Sequence, residues 1–368
     1  MKAVLTAASR QKRRIFGQKQ LLSHFASEAV FPFCIHICLF LRSYYIHKLL
    51  LDFTHPGGGE LLSLAVPETG SPRRHKADPA EHNRESWAMK ISLHSHQRVF
   101  EADLSQAVSL AITLQFDRPQ PNHFAAPKAS SKPLKLGDFV GDTSAGGSCN
   151  VSTLQFIPHC NGTHTETISH IVNEDVWAGH AASDVLCAAA VITVETTPAT
   201  NTRDTYRPAL DDKDTVVTAD AMHRALAPWR RYSPAALIVR TRPNDINKKT
   251  RQYAQPPEPA FFTCEAMDVI NETDCRHLLV DLPSVDRMYD DGRLTNHHIF
   301  WAVPENSHRM AADSRQDRTI TEMIFVPEDV PDGVALLNLQ VPALAGDAAP
   351  SRPMLLPVQS VTPVAPSH

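Results

Sequence analysis

Seven segments of the chain have the apolar pattern of β-strands, and all of them follow residue 89. They are "KISLH" (90–94), "VSLAITLQF" (108–116), "VLCAAAVITVE" (185–195), "AALIVRT" (235–241), "HLLVDLP" (277–283), "TITEMIFVP" (319–327) and "VALLNLQVPAL" (334–344). Short runs rich in β-branched and apolar residues, bounded by turn residues, indicate strands. The pattern therefore predicts a β-sheet that begins just after Met89.

Two segments between these strands have the pattern of helices. "ADAMHRALAPW" follows Thr218, and "TCEAMDVINETDC" begins at Thr263 with Glu265 and Asp268 near its positive end. Threonine caps the amino terminus of a helix, and acids are favoured there by the helix dipole. Alternation of strands and helices predicts an α/β fold with a mixed sheet flanked by helices. The Pro-rich stretches 118–133 and 256–259 are predicted to be surface loops.

Residues 1–88 lack this patterning. The first 27 residues contain six Lys or Arg and no acid, and the apolar run Ala29–Leu41 is too short to span a bilayer as a helix. We expect residues 1–88 to be a non-catalytic extension, either disordered or upstream of a true start at Met89. A basic targeting peptide and a membrane-surface segment are the alternatives. One domain is predicted over 89–358, followed by a tail over 359–368.

Charge and cysteine content exclude some classes of protein. The net charge of −4 offers no basic surface for nucleic acid, although residues 1–88 hold 12 Lys and Arg against 7 acids. Seven cysteines without a CxxC pair argue against a disulfide framework or a zinc ribbon. A reducing compartment follows, and we expect a cytoplasmic protein with neither nucleic-acid nor membrane partners.

The segment "IPHCNGTHTETISHI" (157–171) contains the first candidate chemistry, namely His159, His164, Glu166 and His170. If residues 163–167 are extended, His164 and Glu166 point to one face, and a helix that starts near Thr167 could bring His170 back to the same point. Gly162 indicates a close backbone approach. Imidazoles and a carboxylate are ligands for Zn²⁺ or Mn²⁺. The segment is either a divalent-metal site or a polar loop rich in histidine.

A second candidate group lies further along the chain. The pair His297–His298 follows a buried strand and a polar turn, and on a strand only one of the two could face the site. Alternatively, one is a core histidine and the other lies on the surface. Glu322 lies inside an apolar strand, where a carboxylate needs a histidine or a metal as partner. Asp281 and Asp286 are predicted to form a turn that supports the site.

Eight motifs in order carry a family resemblance. They are "DLSQ" (103–106), "HCNGTHTETISH" (159–170), "LIVRT" (237–241), "LLVDLPSVD" (278–286), "NHH" (296–298), "TITE" (319–322), "VPDG" (330–333) and "DAAPSRP" (347–353). Over residues 89–358 the chain resembles the cyclase family of metal-dependent hydrolases, which includes kynurenine formamidases and isatin hydrolases. The resemblance implies a swivelling β/β/α fold with a barrel-like core and a homodimer or homotetramer.

The hallmark of this family is H-x-G-T-H-x-D-x-P-x-H. By resemblance, its first two His and its Asp bind zinc or manganese, and its last His binds a second ion or lines the site. His164 and His170 match directly. Glu166 stands where the family has Asp, and the first His is shifted, so that either His159 or Cys160 is the ligand.

The downstream residues of the family complete the site. By resemblance, His297 or His298 and Glu322 assist catalysis or bind a second metal, and the longer gap between them implies an extra loop. The sequence thus predicts metal-assisted hydrolysis of a carbon–nitrogen bond in a small amide or lactam, as in tryptophan catabolism. The alternatives are a lactone or ester hydrolase and a non-catalytic metal- or ligand-binding homologue.

Overall fold

The computed structural model describes residues 49–53, 60–65 and 89–364. Its strands are β1 Leu49–Phe53, β2 Glu60–Ala65, β3 Lys90–Ser95, β4 Arg98–Asp103, β5 Val108–Ser109, β6 Ser130–Pro133, β7 Lys135–Leu136, β8 Phe139–Val140, β9 Ser152–Gln155, β10 His164–Thr167, β11 Cys187–Glu195, β12 Thr197–Pro198, β13 Thr215–Val217, β14 Ala236–Arg242, β15 Phe261–Phe262, β16 His277–Val280, β17 Thr319–Glu322, β18 Gly333–Asn338, β19 Ala348–Pro350 and β20 Met354–Pro363. Its α-helices are α1 Pro158–Asn161, α2 Ala178–Ala181, α3 Ala219–Leu226, α4 Cys264–Asn271 and α5 Thr295–Trp301.

A single mixed sheet dominates the fold. Its order is β1-β2-β3-β4-β20-β18-β11-β14-β16-β17-β10-β19, with β5 paired to β20. The strands β11, β14, β16 and β17 are parallel neighbours, and the chain between them contains α3, α4 and α5 in turn. Parallel strands require such crossover connections. The predicted α/β domain with a mixed sheet and flanking helices is confirmed.

The hydrophobic core lies between the parallel strands and the crossover helices. Ile192 of β11 and Val239 of β14 lie in one buried cluster with Met222 of α3, Met267 of α4 and Trp301 of α5. Burial of this apolar surface holds the helices against one face of the sheet. The carboxyl ends of β16 and β17 therefore have fixed positions beside the amino end of α5.

Two predicted helices are present with their predicted caps. The Thr218 hydroxyl accepts a hydrogen bond from the Ala221 amide at the start of α3, and the Thr263 hydroxyl accepts one from the Ala266 amide at the start of α4. Both caps satisfy amides that have no partner within the helix.

Three sequence-based expectations need correction. The segment 108–116 is a strand only over Val108–Ser109, because the Ile112 amide donates to the Thr163 hydroxyl rather than to a neighbouring strand. The predicted tail is part of the sheet as far as Pro363, where β20 pairs with β4. The predicted surface loop 118–133 contains the buried side chains of Asn122 and His123.

The amino-terminal part of the chain is described only in part. Strands β1 and β2 pair with each other, and β2 pairs with β3. Apart from these two strands, the extension predicted over residues 1–88 lies outside the described residues, and its non-catalytic role stays a prediction. Within the described ranges, no helix is both long enough and apolar enough to cross a membrane.

Candidate metal centre

Strand β10 carries the central two site residues. It lies between β17 and β19 and is antiparallel to both, with His164 opposite Glu322 and Glu166 opposite Ile320. Because the side-chain period of a strand is two residues, His164 and Glu166 point to the same face. The intervening Thr165 points to the other face, where its hydroxyl lies 2.8 Å from that of Thr321. The segment is extended over His164–Thr167, which is the condition under which the sequence places His164 and Glu166 on one face.

Gly162 permits the corner between α1 and β10. Its φ of +151° is a conformation that residues with a Cβ rarely adopt, and the nearest atom to an added Cβ is Pro121 Cγ, 4.0 Å away. The prediction that Gly162 allows a close backbone approach is therefore wrong. The reason for glycine at this position is the backbone conformation.

His164 is fully buried and its tautomer is set by the backbone. Its Nδ1 lies 3.0 Å from the Gly162 carbonyl oxygen, which can only accept a hydrogen bond. Burial lowers the pKa of His164 to about 3, so the ring is neutral at physiological pH. A neutral ring that donates from Nδ1 has its lone pair on Nε2. This lone pair is directed into the site, as a metal ligand requires.

Glu166 is equally buried and is surrounded by imidazoles. Its Oε1 lies 2.8 Å from His297 Nε2, and its Oε2 lies 2.9 Å from His159 Nδ1 and 4.0 Å from His170 Nε2. Burial by itself raises the pKa of Glu166, but the charges of His170 and His297, the hydrogen bond with His297 and the close contact with His159 lower it well below the usual value. Glu166 is thus an anion inside the protein.

His159 and His170 form the more exposed side of the cluster. Their rings stack with centroids 4.2 Å apart, and both approach Asp347 Oδ2, at 2.9 Å from His159 Nε2 and 3.4 Å from His170 Nδ1. Burial opposes a charge on His159, but the carboxylates of Asp347 and Glu166 outweigh it and raise its pKa to about 10. The same negative field attracts a divalent cation.

Three ligand atoms in this cluster are buried without a hydrogen-bond partner among the described residues: His159 Nδ1, His164 Nε2 and Glu166 Oε2. The 2.9 Å contact between His159 Nδ1 and Glu166 Oε2 lacks the angles of a hydrogen bond. One ligand atom from each of the three residues lies within 4.8 Å of the others. Two imidazole nitrogens and one carboxylate oxygen are a donor set that suits zinc or manganese, so these residues fit such an ion.

Helix α5 brings His297 to the site and leaves His298 outside it. His297 Nδ1 hydrogen-bonds to Asp286 Oδ2, and its Nε2 faces Glu166. His298 Nδ1 lies 3.2 Å from the Val303 carbonyl oxygen, and no described carboxylate lies within ion-pairing distance of this ring. The interpretation of the pair as strand residues is wrong, because both lie on a helix, where neighbours are about 100° apart. The inference that one of them faces the site agrees with this geometry.

Glu322 ends strand β17 opposite His164. Its Oε1 accepts a hydrogen bond from the Val285 amide, and its Oε2 lies 3.6 Å from His164 Nε2. Burial, together with the nearby charge of Glu166, raises the pKa of Glu322 to about 8. The charge of Glu166 disfavours ionisation of Glu322, so Glu166 carries the charge and Glu322 holds a proton at neutral pH.

The structure brings together six of the seven predicted site residues: His159, His164, Glu166, His170, His297 and Glu322. The sequence did not identify Asp347 as a site residue, although Asp347 begins one of the ordered motifs. Asp286 was predicted only to form part of a turn that supports the site. Cys160 belongs to no described group able to hold a metal, whereas the neighbouring His159 belongs to two. Burial raises the pKa of the Cys160 thiol, so it remains protonated.

Comparison with known families gives one match. The model of a family described as putative cyclase matches residues 102–287, just over half of the chain. The matched range includes α1, β10 and Asp286 and ends before α5. A comparison with curated proteins gives no match.

Several solved structures are similar. A predicted metal-dependent hydrolase from Bacillus stearothermophilus is 15% identical over 68% of this chain and 98% of its own, with a TM-score of 0.44. An isatin hydrolase bound to the product analogue thioisatinate is 15% identical over 69% of this chain and 93% of its own, with a TM-score of 0.47. Isatin hydrolase A from Ralstonia solanacearum is 15% identical over 68% of this chain and 91% of its own, with a TM-score of 0.40.

Proposed function

Because the chain belongs to the cyclase family, we propose that it is a metal-dependent hydrolase that cleaves a carbon–nitrogen bond of a small amide or lactam. The observation that carries the proposal is the convergence of the three unpartnered atoms of His159, His164 and Glu166. Buried polar atoms in native proteins have partners, and exceptions indicate an ion, a water or a catalytic role. These residues are the proposed ligands of zinc or manganese.

The bound ion would lower the pKa of a coordinated water and polarise the substrate carbonyl. The protein positions the ligands for this through outer hydrogen bonds, since Asp347 accepts from His159 Nε2 and Gly162 from His164 Nδ1. Such partners fix the ring orientation and the tautomer of a metal-binding histidine.

His297 is the proposed proton carrier. Its Nε2 lies 2.8 Å from Glu166 Oε1 and 3.9 Å from Glu322 Oε1. Burial opposes a charge on this ring, but Glu166 and Asp286 raise the pKa of His297 well above its usual value. The ring therefore holds a proton at Nε2 that it can deliver to the leaving nitrogen of the substrate. Glu322, whose Oε1 lies 3.9 Å from the same nitrogen, orients the His297 ring for this proton transfer.

His170 and Asp347 form the exposed edge of the site. With His159 they make a second group whose ligand atoms lie within 4.8 Å of one another. We propose that they border the entrance for substrate or hold a second ion. A homodimer or homotetramer, which the family resemblance implies, stays a prediction.

The test combines elemental analysis with a hydrolysis screen of the purified protein. N-formylkynurenine is the first substrate to try and isatin the second, followed by other amides, lactams and lactones. His164→Ala should remove both bound metal and turnover, whereas His223→Ala, an exposed histidine of α3, should change neither. A His164→Ala variant with full metal content and activity would show that the proposal is wrong. Stoichiometric metal without turnover across the whole panel would indicate a non-catalytic homologue.

A further inference from the structure

Two further unpartnered polar side chains, His123 and Tyr253, form a pair on segments outside the candidate metal centre, and the backbone of His123 contacts helix α1 of that centre. His123 is 3% exposed and Tyr253 is 2% exposed, and their rings meet edge to face with centroids 6.4 Å apart. Both ring nitrogens of His123 and the hydroxyl of Tyr253 are buried without a hydrogen-bond partner in the described part of the chain. The site residues of the proposed mechanism do not include either of them.

The segment that carries His123 connects two walls of the centre. The His123 amide donates to the Cys160 carbonyl oxygen at 2.9 Å, which ties it to helix α1 next to His159. On the other side, the Phe124 ring lies edge to face with Tyr289 at 6.2 Å, in the turn that follows Asp286. The segment thus spans from the helix that carries His159 to the turn that orients His297.

The lack of partners is costly. A buried polar group without a hydrogen bond destabilises a protein by about 1–3 kcal/mol, and here three such atoms lie on two neighbouring side chains. Groups of this kind next to a reaction site are explained when a ligand supplies the missing hydrogen bonds. Phenylalanine and leucine at these positions would avoid the cost altogether.

The chemistry of the pair favours a ligand group that accepts hydrogen bonds. Burial lowers the pKa of His123 to about 4 and raises the pKa of Tyr253, so both are neutral at physiological pH. Of the cations nearby, Lys248 donates to Asp281, whereas the Arg251 guanidinium lies 5.0 Å from the centre of the Tyr253 ring and donates to the Pro257 carbonyl oxygen. A carbonyl oxygen would accept hydrogen bonds from the Tyr253 hydroxyl and from one ring nitrogen of His123.

We propose that His123 and Tyr253 bind a second carbonyl group of the substrate, separate from the amide bond that is cleaved. This inference rests on the proposed amide hydrolysis and adds a preferred substrate class. The pair acts in recognition, so it contributes to substrate binding and leaves proton transfer to the metal centre.

The experiment compares two probes that differ in that carbonyl, namely N-(2-acetylphenyl)formamide and formanilide. Tyr253→Phe removes only the hydroxyl, and it should raise KM for the acetyl probe about 10-fold, the effect of one hydrogen bond. The kcat for this probe, the kinetics with formanilide and the metal content should stay unchanged. His123→Gln, which keeps a donor in a different place, should raise KM for the acetyl probe in the same selective way.

Tyr232→Phe is the matched control, because Tyr232 packs beside β3 and β4 and its hydroxyl contacts only Arg231 among the described residues. An equal effect of Tyr253→Phe on both probes, or no effect on either, would overturn the recognition role. Cleavage of other amides but not of the acetyl probe would overturn it as well. Absence of hydrolysis of every amide and lactam by the metal-loaded wild type would instead overturn the proposed function itself.

Discussion

Asp286 and His297 form a buried carboxylate–imidazole pair at the amino end of α5. Asp286 Oδ2 hydrogen-bonds to His297 Nδ1, and the same carboxylate accepts from the Asn296 and His297 amides. The ring is thereby held with Nε2 toward Glu166. The side chain that orients the proposed proton carrier thus also caps the helix that bears it.

Asp286→Asn should lower kcat about 100-fold while metal content and KM change little. The amide keeps an oxygen for the helix amides but removes the charge that favours a proton on His297. Steady-state kinetics with elemental analysis of the same sample measures this. Asp290→Asn is the control, because Asp290, like Asp286, accepts a hydrogen bond from the Tyr206 hydroxyl, and it also accepts one from the Leu294 amide, but it does not contact His297. If both variants lose activity equally, the role of Asp286 is structural.

His159→Ala should lose bound metal, whereas Cys160→Ala should retain it. The two residues are adjacent on α1, but only His159 has a ring nitrogen near Glu166 and belongs to the groups able to hold a metal. Removal of one of three metal ligands should weaken metal binding at least about 100-fold. This is more than the effect expected when a residue that only hydrogen-bonds to a ligand is removed. Metal titration of the two purified variants distinguishes them. Metal loss on Cys160→Ala alone would reverse the assignment of the first ligand.

Glu166→Asp should weaken the metal site, even though aspartate is the usual residue of the family. The longer side chain bridges His297 and His159, at 2.8 and 2.9 Å, and one methylene less breaks at least one of these contacts. We expect metal affinity to fall about 10-fold or more, because the surrounding residues are placed for glutamate. Competition with a chelator measures the affinity. Glu174→Asp on a partly exposed loop provides the control, and an unchanged affinity in Glu166→Asp would contradict the prediction.

Stability should fall in acid because of His123. In the unfolded chain this histidine titrates near 6.5, but burial lowers its pKa to about 4 in the folded protein. Between these pH values the unfolded chain binds more protons, so the free energy of unfolding decreases as the pH falls through this window. The contribution is fully present above pH 6.5 and is lost progressively toward pH 4.

The measurement is urea unfolding of the wild type and of His123→Gln at pH 7 and pH 4.5. Glutamine does not titrate, so the wild type should lose about 2 kcal/mol more than the variant between the two pH values. The other titrating groups are present in both proteins, so their contributions to the free energy of unfolding cancel when the two proteins are compared. A parallel loss in the two proteins would show that His123 is accessible to protons in the folded state.

The sequence alone determined the local features of this protein. The apolar runs of β11 and β14 and the threonine caps of α3 and α4 depend on neighbours within a few residues, so pattern and propensity suffice to predict them. The strand period likewise placed His164 and Glu166 on one face.

The tertiary structure decided what those residues meet. Helix α5 was not predicted, because nearly all of its residues are buried and it has no polar face to reveal a helical period. The contacts of Asp347 with His159, of Asp286 with His297 and of Glu322 with His164 join residues far apart in sequence. Such contacts depend on strand order and helix packing, which are set by burial of the whole core, and no local pattern encodes them.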